Sequence, residues 1–411
     1  MRGAGGSKKN KNKMIKPKMI EPKTTDKQTT DTQDKPSITN IFNHPFVEEI
    51  LQPQELQHLI DTNTQINHYI GFEISGTPHL GSGIITMGVI KALHEINANT
   101  TIFLADWHSW INKKLGGDLK FIQKVALGYF KEMMIASAKV LGVDDTKINF
   151  VLGDKLYKQN PDHWANFMEA NMHTTLARVK RSIGVAGRKE GEAVTFAQLT
   201  YPTLQVADIF TLQAHIAHAG MDQRKAHVIA RQVAEHMTIM PLKDANGKVV
   251  KPIAIHHKLV PSLSAPSKWP ITPEEAKQLI KSGDAKMSKS KPEGAIFIPD
   301  SPDDIKRKVL KAFCPEGDLT YNPVAEWVKT FVFDVGNELF IKRPEKWGGN
   351  LTIKSWQEFK EIFEAKALHP QDLKQAFAEY LIEFMKPARD YLGNLKDIEK
   401  LKQEIQERIT R

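Results

Sequence analysis

Residues 69–83 read YIGFEISGTPHLGSG. Tyr69-Ile70-Gly71-Phe72 is short, apolar and β-prone, as the first strand of a parallel sheet is. Ser75-Gly76 and Gly81-Ser82-Gly83 allow a sharp turn and a close backbone approach to a ligand. Ile84, Ile85, Val89, Ile90 and Leu93 recur at helical spacing, which predicts a helix starting near Ser82. A helix start presents unpaired N–H groups and the positive end of the dipole, and both suit phosphate. His79 adds a donor just before it. The competing reading is an ordinary strand–turn–helix connection with no ligand.

A second stretch bears on that choice. Lys286-Met287-Ser288-Lys289-Ser290, followed by Lys291, lies in a polar segment after Ser282-Gly283-Asp284. Two lysines and two hydroxyls within five residues make a compact phosphate grip, with Lys as a mobile point charge and Ser as a donor. Alone, such a run is a solvated loop. Paired with His79-Leu80-Gly81-Ser82 upstream, it resembles the HIGH and KMSKS signatures of class I aminoacyl-tRNA synthetases.

The 411 residues suit two folded domains plus a tail, and 41% hydrophobic content is ample for real cores. A formal charge of +9 favours a polyanionic partner, nucleic acid first. Residues 1–38 hold ten Lys/Arg against four Asp/Glu, so the tail carries +6 of that excess. Its Lys, Thr, Asp, Gln and Pro predict a disordered segment. It reads equally as a basic arm for RNA phosphates or as a solubilising leader. The single cysteine, Cys314, excludes an intramolecular disulfide and a cysteine-rich zinc site, and fits a reducing cytosol. No apolar run is long enough to span a bilayer and no signal-peptide core is present. The expectation is a soluble, cytoplasmic protein with no membrane partner and no protein-held metal.

Residues 39–68 read as short helices broken at Pro53. Thr101–Ala105 reads as a second buried strand, with Asp106 and His108 at its C-terminal end. In open α/β sheets the ligand lies off those ends, so the two are candidate site residues; a helix-capping Asp is the competing account. A helical pattern runs from about Leu119 to Leu141, and Ile148–Leu152 is a further strand. Arg178, Lys180, Arg181, Arg188 and Lys189 form a basic patch, either a solvated helix face or a contact for an RNA acceptor stem. Tyr201, Gln205 and Asp208 fall at i, i+4 and i+7 of a helix begun by Pro202, so they share one face. Their apolar neighbours Leu204, Val206, Ile209 and Phe210 favour a ligand-facing wall over a surface. Ile216–Gly220 and Ile253–Ile255 are strands, and Met221–His227 opens a helix. Phe297-Ile298 is read as a final strand, before a helix started by Ser301-Pro302-Asp303-Asp304. Residues 301–411 are mainly helical, with strand signals at Thr330–Phe333 and Leu339–Ile341.

Taken together, the segments from about 45 to 395 resemble tyrosyl-tRNA synthetases of the archaeal and eukaryotic kind. The resemblance rests on YIGFE, SGxxHLG, LADWH, YPxxQVADI, GMDQRK, KMSKS, CPxG, IKRPEKWGG and LHPQDLK, in that order. It implies an α/β fold: a Rossmann-type parallel-sheet catalytic domain over 39–300, with a connective insertion at about 110–200 and the KMSKS loop at about 283–293. A mainly helical anticodon-binding domain over 301–411 follows. It also implies a homodimer that joins tyrosine to ATP and transfers the tyrosyl group to the terminal adenosine of tRNA-Tyr.

By resemblance, His79, Ser82, Lys286, Ser288 and Lys289 carry the chemistry at the phosphates. Gly71, Gly81 and Met287 join His79 and Lys289 in holding ATP, with Mg2+ expected on the phosphate oxygens rather than in a protein cage. Tyr69 and Asp208 match residues that hydrogen-bond the substrate phenol. Tyr201, Gln205 and Gln223 match those that hold its ammonium group, and Glu73 lies close by. Arg181, Arg224 and Lys225 match positions that read the first acceptor base pair. Trp347 and Asp372 match those on the first anticodon base, with His369 nearby. Ser82 stands where the family's second HIGH histidine would be, and Lys289 where many relatives have Ser. Trp347 stands where relatives can have Phe, and the proline-rich insert at about 258–282 is longer than in compact relatives. The rival readings are a tryptophanyl-tRNA synthetase and a non-catalytic tRNA-binding paralogue; a small-molecule adenylating ligase would lack the helical domain.

Overall fold

The computed structural model describes residues 38–188, 191–281, 285–287 and 291–409. The expectations for the tail over 1–37, for Lys189 and for Ser288 and Lys289 lie outside those residues. Six strands form the main sheet: β1 (Val47–Leu51), β2 (Asn67–Phe72), β3 (Asn99–Leu104), β4 (Ile148–Leu152), β5 (Ile216–Gly220) and β6 (Ile253–His257), in the order β1-β6-β5-β2-β3-β4. β2 to β6 pair in parallel and β1 closes one edge antiparallel to β6. β5 and β6 are buried throughout, as strands covered on both faces are.

The strand order places β2 between β3 and β5. Connections from the two inner strands run to opposite sides there, and a crevice opens beyond their C-terminal ends, at Phe72 and Gly220. The predicted turn fills that crevice. Its first helical residues, Gly81–Ile85, form a wide π turn that passes into the helix Thr86–Glu95. A Cβ on Gly83 would lie 2.5 Å from Ser137 Oγ and 2.7 Å from Ile298 Cδ1, so glycine is what lets this turn pack so closely.

Three expectations are corrected. Val47–Leu51, read within a helical stretch, is a strand, because the open edge of β6 offers backbone partners that helical spacing cannot reveal. Phe297 makes one isolated bridge to His79 rather than a strand. Thr330–Phe333 lies in a π turn that extends the helix Pro323–Val328, its β-branched residues overridden by burial of Thr330, Phe331 and Val332. The stretch from about 110 to 200 contributes β4 to the main sheet as well as its helices.

Beyond the sheet the chain is mainly helical, with one small antiparallel pair, β7 (Leu339–Ile341) and β8 (Leu351–Ile353). Ser301 caps the helix Pro302–Lys311 by accepting from the Asp304 N–H, as the cap, proline and acids foretold. The last helices return to the sheet-bearing part. Tyr391 donates to Glu132 at 2.6 Å, and the Arg408 guanidinium lies 3.9 Å over the Phe121 ring while pairing with Asp118 at 3.0 Å. No described helix is long and apolar enough to cross a membrane.

Candidate active site

A cavity of about 240 Å³ opens at the crevice between β2 and β5. Gly71 and Glu73 from the end of β2, Gly220 at the end of β5 with Asp222 and Gln223 just beyond it, and His79, Gly81 and Ser82 from the turn line it. Tyr201, Lys286 and Met287 also line it, as do Lys258, Leu259 and Val260 after β6. Nine residues expected at the site thus share one cavity: Gly71, Glu73, His79, Gly81, Ser82, Tyr201, Gln223, Lys286 and Met287.

The turn departs from expectation in its donors. The amides of Leu80, Ser82 and Gly83 are bonded within the chain, to Ile296 O, His79 Nδ1 and His79 O. The helix start therefore offers its dipole more than free N–H groups. Because a backbone N–H can only donate, its bond at 3.3 Å makes His79 Nδ1 an acceptor and leaves the proton on Nε2. The Ser82 hydroxyl lies 3.0 Å from both the backbone N and O of His79, so it braces the turn.

Behind the wall lies a buried polar cluster. Asp208 is fully buried, and its Oδ1 accepts from the Tyr157 hydroxyl at 2.9 Å. Its Oδ2 has no hydrogen bond; His108 Nε2 stands 3.4 Å away. Burial pushes the Asp208 carboxyl well up from its ordinary value, and the Tyr157 bond opposes this. Tyr69, on β2, is pushed well up by burial and by the Asp208 charge. Its hydroxyl sits 2.4 Å from where a Cβ on Gly71 would be, so glycine at 71 makes room for the phenol just beneath the cavity lining. Tyr201 lines the cavity and meets the His108 ring edge-on at 4.7 Å. Gln205 is buried on the same helix, and its Oε1 has no hydrogen bond. Tyr69, Gln205 and Asp208, expected to contact tyrosine, are therefore absent from the cavity's lining; Tyr69 and Asp208 stand close to Tyr201, which is part of it.

Glu73 is held at the cavity edge by the Asn112 side chain and by Lys114, 3.2 Å away, and it bonds the Tyr201 hydroxyl. Asn112 also donates to the Ala186 carbonyl at 3.1 Å, and Gln223 to that of Val185 at 3.1 Å. Lys286 pairs with the Asp222 carboxylate. Asp106 is corrected from site candidate to brace: its carboxylate accepts from the Trp107 and Asp154 amides and from Gln123. Tyr157, Asn112, Lys114 and Asp222 were missed as site residues. Tyr157 and Asp222 follow the C-terminal ends of β4 and β5, the one signal that could have flagged them.

The residues expected at RNA fall in two groups away from this cavity's lining. The Lys225 ammonium donates to the Arg181 carbonyl at 2.7 Å, so those two are neighbours. Arg224 is engaged by Glu49 of β1 through Nε at 2.7 Å and a terminal nitrogen at 2.9 Å, and this pairing holds its guanidinium above its ordinary value. Trp347 is 65% exposed on a short turn. Arg343 donates to the Gly349 and Ala367 carbonyls, tying that turn to the segment before the helix Pro370–Phe384. His369 caps this helix by accepting from the Gln371 N–H, and Asp372 lies in its first turn.

Residues 61–386 match the family model of the class I tRNA synthetases for tryptophan and tyrosine. The tyrosine–tRNA ligase of Thermococcus sibiricus is 51% identical over 345 residues, covering 84% of this chain and 91% of that protein. The enzyme of Thermococcus kodakarensis is 49% identical over 365 residues, covering 89% and 96%. The crystal structure of Pyrococcus horikoshii tyrosyl-tRNA synthetase complexed with L-tyrosine superposes with a TM-score of 0.84 at 46% identity, over 89% of this chain and 98% of that one. Tryptophanyl-tRNA synthetase of Aeropyrum pernix shares the fold alone, at 16% identity and a TM-score of 0.60 over 86% and 84% of the two chains. With a family model over most of its length and archaeal relatives near half identity across more than four-fifths of it, the chain belongs to the tyrosine–tRNA ligases, ATP-dependent class I aminoacyl-tRNA synthetases.

Proposed function

We propose that the cavity and the polar cluster behind it activate tyrosine with ATP and pass the tyrosyl group to tRNA-Tyr. The observation that carries the tyrosine assignment is the unpaired Oδ2 of the buried Asp208. Leaving a buried acceptor without a partner costs about 1–3 kcal/mol, and a phenol O–H arriving through the cavity removes that cost. Tyr69 serves the same phenol from β2. Tyr201, Gln205, Gln223 and Glu73 face the ammonium end, where a cation is favoured by the Glu73 carboxylate.

The tyrosine carboxylate is already an anion, so its attack on the α-phosphorus needs no strong base. A P–O bond breaks, and pyrophosphate leaves with its electron pair. The chain must then position the reactants and neutralise charge. Gly71, Gly81 and Met287 cradle ATP, His79 donates from Nε2, and Lys286 leaves Asp222 to meet the leaving pyrophosphate, with Ser288 and Lys289 beside it in sequence. Ser82 holds the turn in shape. Magnesium, held by the phosphate oxygens, would neutralise their charge, with Asp222 the carboxylate that Lys286 gives up beside them. In the second step a ribose hydroxyl of the terminal adenosine attacks the tyrosyl carbonyl and AMP leaves.

Residues 39–300 serve as catalytic domain and 301–411 as anticodon-binding domain. Arg181, Arg224 and Lys225 approach the acceptor stem, and Arg224 exchanges Glu49 for RNA there. Trp347 stacks on an unpaired guanine, with Asp372 and His369 beside it. A homodimer is supported by an apolar stripe on the helix His163–Met172. Trp164, Met168 and Met172 point outward there, Met172 is 78% exposed, and Trp107 and Trp110 continue the stripe. The work belongs in the cytoplasm, where tRNA is charged. The test is ATP–pyrophosphate exchange and tRNA charging with tyrosine, tryptophan or no amino acid. Exchange and charging with tyrosine alone are expected; exchange with tryptophan, or none, contradicts the reading.

A further inference from the structure

Trp327, on the helix Pro323–Val328, is fully buried in the helical region, yet its Nε1–H donates to the carbonyl of Pro261 at 2.8 Å. Pro261 belongs to the segment that leaves β6, and that segment has two faces. On one, Lys258, Leu259 and Val260 line the cavity. Met287 donates to the Val260 carbonyl at 3.1 Å and Ser262 to the Ala285 carbonyl at 2.6 Å, so Pro261 lies opposite Lys286 in an antiparallel bridge. The bridge's two hydrogen bonds are made by neighbours, which leaves the Pro261 carbonyl for the indole. On the other face, Phe313 donates to the Leu263 carbonyl at 2.9 Å, and Lys258 Nζ lies 2.9 Å from Asp334 Oδ2. The backbone bridged to Lys286 is thus hung from the helical region at three polar points: Asp334–Lys258 before the bridge, Trp327–Pro261 at it and Phe313–Leu263 beyond it.

We propose that Trp327 and Asp334 are positioning residues for Lys286. They fix the height of the segment on which that lysine is mounted, and so its reach to the phosphates opposite His79. The inference rests on the reading of Lys286 as the pyrophosphate partner. Without the indole donor, a buried carbonyl loses its partner and the segment relaxes to find another. A displacement of about 1 Å at a phosphate-contacting lysine slows chemistry by up to about 100-fold without touching the tyrosine pocket.

The experiment is tyrosine-dependent ATP–pyrophosphate exchange by the full chain, comparing wild type, Trp327→Phe, Asp334→Asn and Phe331→Leu. Phe331 packs edge-on against Trp327 at 5.7 Å and serves as a control for a packing role. The wild type alone tests the underlying reading: no exchange there refutes it. The variant-to-wild-type ratios test the positioning. Trp327→Phe is expected to lower kcat about 10-fold while the tyrosine KM stays within about twofold, with Phe331→Leu near wild type. Asp334→Asn, nearly isosteric and only partly buried, is expected to lower kcat several-fold with the same unchanged KM, and it stands as the test if Trp327→Phe does not fold. Wild-type kcat in either variant overturns the proposal. So does an equal loss in Phe331→Leu, or a tyrosine KM that rises in step with the fall in kcat.

Discussion

The Tyr157 hydroxyl donates to Asp208 Oδ1 at 2.9 Å and leaves Oδ2 of the same carboxylate without a hydrogen bond. One oxygen is fixed by the protein; the other awaits a donor. Tyr157→Phe removes the fixing bond and adds to the burial that already pushes this carboxyl up. The expected result is a fall of about 10-fold in kcat/KM for tyrosine, from the loss of one buried hydrogen bond, with the KM for ATP little changed. Steady-state exchange kinetics check this. Equal effects on both substrates would count against it.

Glu73 depends on Asn112, which also ties the Ala186 carbonyl to the site. Asn112→Ala should let the carboxylate swing away from the ammonium end. The expectation is a rise in tyrosine KM of about 5- to 10-fold, near 1 kcal/mol, in the same assay. An unchanged KM would show that Lys114 and Tyr201 suffice to hold Glu73.

Acid should destabilise the fold through its buried histidines. Burial pushes His68 down to about 3, His108 to about 3 and His257 to about 4, against an ordinary 6.5. His68, His218 and His257 form a hydrogen-bonded row across β2, β5 and β6, with contacts of 3.2 and 2.9 Å. Below pH 6.5 the unfolded chain binds protons that the folded chain refuses, so stability falls as pH drops toward 4. Each such histidine contributes about 1.4 kcal/mol per pH unit through that window. Thermal melts from pH 7 to pH 4.5 should show a falling midpoint, and a flat profile would contradict this.

The stripe of Trp164, Met168 and Met172 predicts the assembly state. Met168→Glu should place a charge in the joint and halve the mass seen by sedimentation, while leaving the thermal midpoint within a few degrees. A monomeric wild type, or a variant of undiminished mass, would remove the stripe from the account.

Much of the site could be read from residue order because its parts lie where strands end. YIGF and IAHAG are compact apolar runs, and each is followed by the residues that line the cavity. Helical spacing puts Tyr201, Gln205 and Asp208 on one face, but of the three Tyr201 alone lines the cavity, because the whole helix Tyr201–Thr211 is buried and spacing does not tell a cavity from packed neighbours. What escaped is what depends on pairing across distance. Tyr157 meets Asp208 from 51 positions away, and Lys286 meets Asp222 from 64. β1 became visible only with β6 beside it. The amides of the turn were expected to be free because a helix start usually leaves them so. Here the His79 side chain, 3.3 Å from the Ser82 nitrogen, is bent back onto its own turn, a conformation that composition does not encode.

Recognition of a phenol by Asp208 is measured by the ratio of kcat/KM for tyrosine over phenylalanine. A site built to bond a substrate hydroxyl rejects the analogue lacking it by about 10⁴–10⁵-fold, tyrosyl-tRNA synthetase being the type case. The wild type should discriminate on that scale in ATP–pyrophosphate exchange, and Asp208→Ala should lose most of the preference through tyrosine while phenylalanine is little affected. A variant that keeps the wild-type ratio would mean that Asp208 does not read the phenol.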